Sequence, residues 1–186
     1  MMGAGELILI LGGARSGKSA YAERLARERG GDVLFVATAT AGDDDMARRI
    51  AAHRAARPAA WRTLEAPDDV AARVAAEAAA VPTIILDCLT LLTANLLLAH
   101  EAEGEDAVVR ALDAEIGALL ALIASSDATW IVVSNEVGMG LVPPYPLGRI
   151  YRDLLGRINA RVAARADRAY LLVAGLPLDL KRLMAE

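Results

Sequence analysis

Cysteine, lysine and aromatic residues are all scarce in this chain, and each scarcity excludes something. Cys88 is the single cysteine among 186 residues, so no intrachain disulfide can form. It follows an apolar run, Thr83–Leu86, and reads as a small core residue. Aromatic residues make up 4% of the chain and the formal net charge is −4. No surplus of positive charge, and no basic stripe interleaved with aromatics, is present to bind nucleic acid.

Long unbroken hydrophobic runs are also missing, although 55% of residues are hydrophobic and the mean hydropathy is +0.36. The stretch Gly117–Ile123 soon meets Ser125-Ser126-Asp127, and Leu89–Ala99 contains Thr90, Thr93 and Asn95. Neither approaches the roughly 18 apolar residues that a membrane span needs. Met1 to Leu11 has no basic leading region and does not read as a signal peptide. A cytoplasmic protein is expected. With no low-complexity linker and no repeat, residues 1–186 are expected to form a single domain.

What is present is more specific. Gly12-Gly13-Ala14-Arg15-Ser16-Gly17-Lys18-Ser19 matches the phosphate-binding pattern G-x-x-x-x-G-K-[ST] at every fixed position. An apolar run, Leu7–Leu11, leads in, and an amphipathic segment, Ser19 to about Arg29, leads out. That context lets backbone N–H groups curl around a phosphate at a helix N-terminus. Lys18 is then expected to reach the β and γ phosphates of a nucleotide, and Ser19 to offer its hydroxyl to Mg²⁺. Only two of 20 basic residues are lysine, yet one stands here. A compact ammonium fits inside a ring of amides where a planar guanidinium does not.

Five continuous apolar runs read as strands buried on both faces: Leu7–Leu11, Val33–Thr38, Thr83–Asp87, Thr129–Ser134 and Ala169–Ala174. Helical patterns at 18–29, 43–56, 68–80, 89–100, 106–124 and 147–166 separate them. The alternation predicts an α/β fold with an open, mostly parallel sheet and helices on both faces, of the P-loop type. The acidic stretch Glu101–Asp106 reads as a solvated turn.

Ligands of such sheets gather beyond the carboxyl ends of the strands. Asp87 ends one strand, where an acid either joins Ser19 in holding Mg²⁺ or simply caps the next helix. Asn135 and Glu136 end another. Glu136 is either a base or binding group for an acceptor hydroxyl, or a partner that stabilises the glycine-rich loop after it. In the segment 43–56, Met46, Ile50 and His53 share one helical face. Arg54 and Arg57 follow His53. His53 is either structural or a nucleophile for an α-phosphate, a reaction that neutral imidazole performs near pH 7.

These residues, in order, resemble one family. Gly12–Ser19, Ala37-Thr38-Ala39, Asp44–Ile50, His53-Arg54, Arg57-Pro58, Trp61-Arg62-Thr63 with Glu65, Asp87-Cys88-Leu89-Thr90 and Asn135-Glu136-Val137-Gly138-Met139-Gly140 are similar to the bifunctional adenosylcobinamide kinase/adenosylcobinamide-phosphate guanylyltransferases of cobalamin biosynthesis. Tyr151–Asp153, Gly156–Asn159 and the segment Gly175–Lys181 resemble it too. The resemblance implies two activities. The aminopropanol arm of adenosylcobinamide takes a phosphate from ATP or GTP. GTP then guanylylates a histidine, and the phosphorylated cobinamide accepts the GMP.

By the same resemblance the guanylylated histidine is His53, and nucleotide-contacting positions fall on Gly12–Ser19, Ala37, Thr38, Ala39, Arg54, Ala55, Ala56, Arg57, Glu65 and Asp87. Mg²⁺ is the expected cofactor and a homotrimer the expected assembly. Some relatives carry adjacent histidines where this chain has Ala52-His53, and some carry Glu at the position of Asp87. Pro58, flanked by Ala55-Ala56 and Ala59-Ala60, suggests a hinge on which the His53 segment moves when GTP binds. Two other functions stay open at the level of the residues alone. One is a small-molecule kinase with an inert His53; the other is a nucleotide-dependent switch, against which stands the lack of an N-K-x-D motif.

Overall fold

The computed structural model describes residues 5–40, 48, 51, 54–55, 57–77 and 81–183. One seven-stranded sheet organises them. Its strands are β1 (Leu7–Gly12), β2 (Val33–Ala37), β3 (Arg62–Glu65), β4 (Thr83–Asp87), β5 (Thr129–Val133), β6 (Arg168–Val173) and β7 (Leu176–Asp179). Their spatial order is β3-β2-β4-β5-β1-β6-β7. Every pairing is parallel except that of β6 with β7. The helices are α1 (Lys18–Arg29), α2 (Val70–Glu77), α3 (Leu89–His100), α4 (Glu105–Ala124) and α5 (Pro146–Arg165), with a 3-10 turn at Glu101–Glu103.

The apolar runs form strands because both of their faces are covered. In β1, Ile8 and Ile10 pack with Ala22 and Ala26 of α1, while Leu7, Leu9 and Leu11 join a larger core that includes side chains of α2, α3, α4 and α5. Small alanines on α1 let that helix lie close to the sheet. β1 sits between β5 and β6, so its tip has a neighbouring strand end on each side. Such a position, where connections leave in opposite directions, is where open α/β sheets bind ligands.

The five expected strands are all present, with ends shifted by a residue at most of them. Two further strands carry no apolar signature. β3 reads Arg-Thr-Leu-Glu and pairs only with β2 at the sheet edge, where one side needs no core-facing residue. β7 contains Pro177, which an edge strand tolerates because the missing N–H would point away from the sheet. Gly175 lies in the hairpin turn after β6, and Leu176 and Pro177 begin β7. The acidic turn is shorter than expected, since α4 already begins at Glu105.

α2 starts at Val70, after Asp69 at a left-handed φ of 46°. Its first N–H is capped from a distance: Val70 N donates to the buried Glu115 carboxylate of α4 at 2.8 Å. Burial pushes the Glu115 carboxyl above its ordinary range.

Candidate active site

The phosphate-loop sequence folds as its glycines demand. β1 ends at Gly12 with φ 151°, Arg15 has φ 57°, and Gly17 has φ 95° immediately before α1. A Cβ at Gly12 would lie 2.6 Å from both the Leu172 carbonyl oxygen and Ser16 Oγ. Only glycine fits there. The loop is braced from both sides. Glu136 N, beyond β5, donates to Gly12 O at 3.0 Å, and Gly175 N, beyond β6, donates to Ser16 O at 3.0 Å. Gly13, Ala14 and Arg15 remain exposed.

Lys18 is buried, and its ammonium donates to Gly13 O at 2.7 Å. Burial lowers its pKa, and the nearby Asp87 carboxylate works against that shift. Ser16 Oγ is buried with no hydrogen-bond partner. An orphaned hydroxyl beside a buried ammonium, in a loop whose tip is open, is a cradle for phosphate oxygens. Ser19 follows Lys18 in the first turn of α1 and is half-buried.

The tips of β2 and β4 are stitched together. Thr38 Oγ1 accepts Cys88 N–H at 2.8 Å and donates to Cys88 O at 2.7 Å. Thr38 N donates to Asp87 O at 3.2 Å, and Asn95 Nδ2 donates to Thr38 O at 2.9 Å. The Asp87–Cys88 peptide is cis. Thr38 is fully buried, so its hydroxyl serves the backbone beside Asp87. Ala37 and Ala39 flank it, half-buried at the rim.

Arg57 closes the other side of this tip. Its guanidinium stacks on Phe35 with the carbon 3.5 Å from the ring centroid, and Nη1 donates to Thr63 at 3.4 Å. Burial lowers its pKa, Asp87 being the largest charge opposing the shift, and Nε is buried without a partner. Arg54, in a helical residue pair with Ala55, bridges to Glu65 at 3.3 Å. Both members of that pair are 65% exposed, so it is worth little on its own. His53 and Ala56, together with Met46 and Ile50 of the expected stripe, lie outside the described residues.

Asn135 and Glu136 open the loop after β5. Asn135 N donates to Thr90 Oγ1 at 2.8 Å, and Asn159 Nδ2 of α5 donates to Asn135 O at 2.9 Å. Tyr151 OH donates to Thr90 O at 3.2 Å, and burial pushes that phenol up to about 12. The Glu136 carboxylate accepts the N–H of Gly138, so one of its oxygens is engaged in shaping its own loop. Cys88 is half-buried and packs against the core on the α1 side of the sheet, and its thiol is pushed up to about 11 by burial and then by Asp87.

The sequence brings Gly12–Ser19, Thr38, Arg57, Asp87, Asn135 and Glu136 to one end of the sheet. What it did not assign are the supports: Thr90, Asn95, Tyr151 and Asn159. The available signal was an asparagine inside otherwise apolar helical turns, a residue that helices disfavour unless its amide has work elsewhere.

Comparisons with known proteins identify the family. Residues 8–180 match the model of a family described as cobinamide kinase/cobinamide phosphate guanyltransferase. The chain belongs to that family. It is a bifunctional kinase and guanylyltransferase of adenosylcobalamin biosynthesis. It is 50% identical over 173 residues to the bifunctional adenosylcobalamin biosynthesis protein CobP of Pseudomonas aeruginosa, covering 93% of this chain and 96% of the relative. It is 42% identical over 181 residues to the bifunctional adenosylcobalamin biosynthesis protein CobU of Salmonella typhimurium, covering 94% and 99%. Among solved structures, the RadB recombinase superposes with a TM-score of 0.52 at 14% identity, covering 90% of this chain and 74% of that one. That likeness concerns the P-loop fold alone. Among the described residues, no helix is long and apolar enough to cross a membrane.

Proposed function

We propose that the kinase and the guanylyltransferase steps use one nucleotide seat at Gly12–Ser19, and that His53 carries GMP in the second step. In the first, the hydroxyl of adenosylcobinamide attacks the γ phosphorus of ATP or GTP, an O–P bond forms and the nucleoside diphosphate leaves. In the second, an imidazole nitrogen of His53 attacks the α phosphorus of GTP and pyrophosphate leaves. A phosphate oxygen of the phosphorylated cobinamide then attacks the same phosphorus. The N–P bond breaks, and adenosylcobinamide-GDP is released.

One observation supports the shared seat: Asp87 at the tip of β4 lies opposite Ala37 of β2 and Val133 of β5, Val133 lies opposite Ile10 just before the phosphate loop, and the Arg57 guanidinium stacks on Phe35 of β2. Arg57 stands four residues after His53, so the end of the histidine segment lies at the same strand tip as the phosphate-loop lysine. Arg57, with its unpartnered Nε, and Arg54 are suited to charge that builds on phosphate oxygens in the transition state. Lys18 and the loop amides hold the β and γ phosphates. Ser19 and Asp87 would hold Mg²⁺, a hydroxyl and a carboxylate being the sparse oxygen set this ion takes alongside phosphates. When bound, the ion neutralises phosphate charge. Ala37, Thr38, Ala39, Ala55, Ala56 and Glu65 complete the nucleotide's surroundings. Both nucleotides are abundant in the cytoplasm, where we place the reaction.

The test is covalent labelling with α-labelled GTP and Mg²⁺. The expected adduct is stable to alkali and labile to acid, and it disappears in His53→Ala while transfer of the γ phosphate to adenosylcobinamide continues. Lys18→Ala should abolish both reactions. Label that persists in His53→Ala would remove this histidine from the mechanism.

A further inference from the structure

Asn95 lies in the middle of α3, a helix whose other side chains are apolar apart from Thr90, Thr93 and the final His100. Asparagine is a poor helix former, and here its amide works outside the helix. The three polar side chains along α3 have different partners. Thr93 Oγ1 donates to Leu89 O of its own helix at 2.8 Å. Thr90 Oγ1 accepts the Asn135 N–H beyond β5. Asn95 Nδ2 donates twice, to Thr38 O beyond β2 at 2.9 Å and to Pro67 O beyond β3 at 3.0 Å. Two carbonyl oxygens face this amide, so its nitrogen and not its oxygen is turned to them.

β2 and β3 are neighbours in the sheet, and their ladder ends with Ala37 opposite Glu65. Ala66 N then donates to Ala37 O at 2.9 Å. The Asn95 amide adds a cross-link one residue further on, at Thr38 and Pro67. Beyond Pro67, Arg73 Nε donates to Asp68 O at 2.9 Å and the Glu115 carboxylate accepts Val70 N–H. Those contacts tie the segment to α2 and α4, whereas Asn95 ties it to the exit of β2. The two exits carry Ala37–Ala39 and Glu65, and Glu65 pairs with Arg54. Thr38 also holds both backbone groups of Cys88, the residue after Asp87. One amide thus joins β2 and β3 directly and the tip of β4 through Thr38. Two hydrogens that leave one nitrogen at a fixed angle set the separation of their acceptors. Aspartate has the same shape without a donor, serine has one donor, and glutamine places its amide a methylene further out.

We infer that Asn95 is a positioning residue for GTP: its side-chain amide holds the exits of β2 and β3, and through Thr38 the tip of β4, at the spacing that the nucleotide requires. The inference rests on the reading that places GTP at Gly12–Ser19 with Ala37–Ala39, Glu65 and Asp87 around it. Asn95→Ala, Asn95→Ser and Asn95→Asp are the test variants, and Thr93→Ala is a control that loosens α3 without touching either exit. The dissociation constant of a fluorescent GTP analogue should rise about tenfold in Asn95→Ala and further in Asn95→Asp, where a carboxylate faces two carbonyl oxygens. Asn95→Ser, which keeps one donor, should fall between the parent and Asn95→Ala. The KM for adenosylcobinamide should stay within about twofold of the parent, because Thr90 and Asn159 hold the loop beyond β5. Thr93→Ala should bind GTP as the parent does despite a lower Tm. Parental GTP binding in Asn95→Ala overturns the inference. An equal rise in both constants, an equal loss of GTP binding in Thr93→Ala, or loss of the folded state in Asn95→Ala overturns it too, since each makes Asn95 a general support of the fold. Lys18→Ala that binds the analogue as tightly as the parent would instead sink the placement of GTP on the phosphate loop.

Discussion

Two loops meet at the tip of the central strand, and they are built by different means. The phosphate loop takes its shape from its own backbone, with φ of 151° at Gly12 and 95° at Gly17, in places where a side chain would collide. The loop after β5 takes its shape from side chains far away. Thr90 is 45 residues before Asn135 and Asn159 is 24 after it, and the two hold opposite ends of one peptide unit each. A backbone-shaped loop grips a ligand common to thousands of proteins and tolerates little change. A loop pinned by remote side chains can alter its exposed tip while its base stays fixed.

The largest expected effect tests the first half of that contrast. Gly12→Ala should weaken GTP binding by at least about 100-fold and cost about 3 kcal/mol of stability, because the new Cβ meets a backbone carbonyl that has no room to retreat. Isothermal titration and thermal unfolding measure the two quantities. Parental affinity in this variant would mean that the loop can be reshaped at little cost, and the contrast would fail.

A smaller effect tests the second half. Asn159→Ala removes the amide that holds Asn135 O. It should lower stability by about 1–2 kcal/mol and reduce kcat/KM for adenosylcobinamide about fivefold, with GTP affinity unchanged. Steady-state kinetics with each substrate varied in turn separates these. Equal losses for both substrates would show that the two loops act as one unit.

The smallest effect comes from a probe at the strand tip beside both loops. The Cys88 thiol is pushed up to about 11, chiefly by burial. Its alkylation by iodoacetamide should follow a pH profile with an inflection near 11 instead of the ordinary 9.0. The linkage has a definite sign. A folded-state thiol that holds its proton longer than the unfolded one contributes stability below the unfolded value, and that contribution falls away as pH rises from 9 through 11. An inflection below 9 would mean that water reaches the thiol and that the stitch at Thr38 is open.

The same contrast explains which parts were readable from sequence. Strands buried on both faces announce themselves as apolar runs, so the central strands and the open parallel sheet followed directly. A glycine pattern with a fixed conformational cause announced the phosphate loop. The edge strands β3 and β7 did not show, because an edge imposes neither an apolar face nor a full set of N–H donors, and Arg62, Glu65 and Pro177 are admissible there. Thr38 was placed at the site, but its work on the Cys88 backbone depends on the register of β2 beside β4, which no local pattern encodes. Thr90 and Asn159 escaped for the same reason. Glu136 stood between two roles in the sequence, and its hydrogen bond to Gly138 N–H gives it at least the loop-shaping one. His53 was named through the family's motif and the Pro58 hinge through its alanine flanks; His53 lies outside the described residues.

The brace from Gly175 to Ser16 also has a bearing on how the protein is made. The first ligand-gripping element to leave the ribosome is among the last to work, since one of its supports is encoded almost 160 residues downstream. A nascent chain halted before the β6–β7 turn carries the nucleotide motif intact in letters and unsupported in space. The phosphate loop thus gains this support only after the β6–β7 turn has been synthesised.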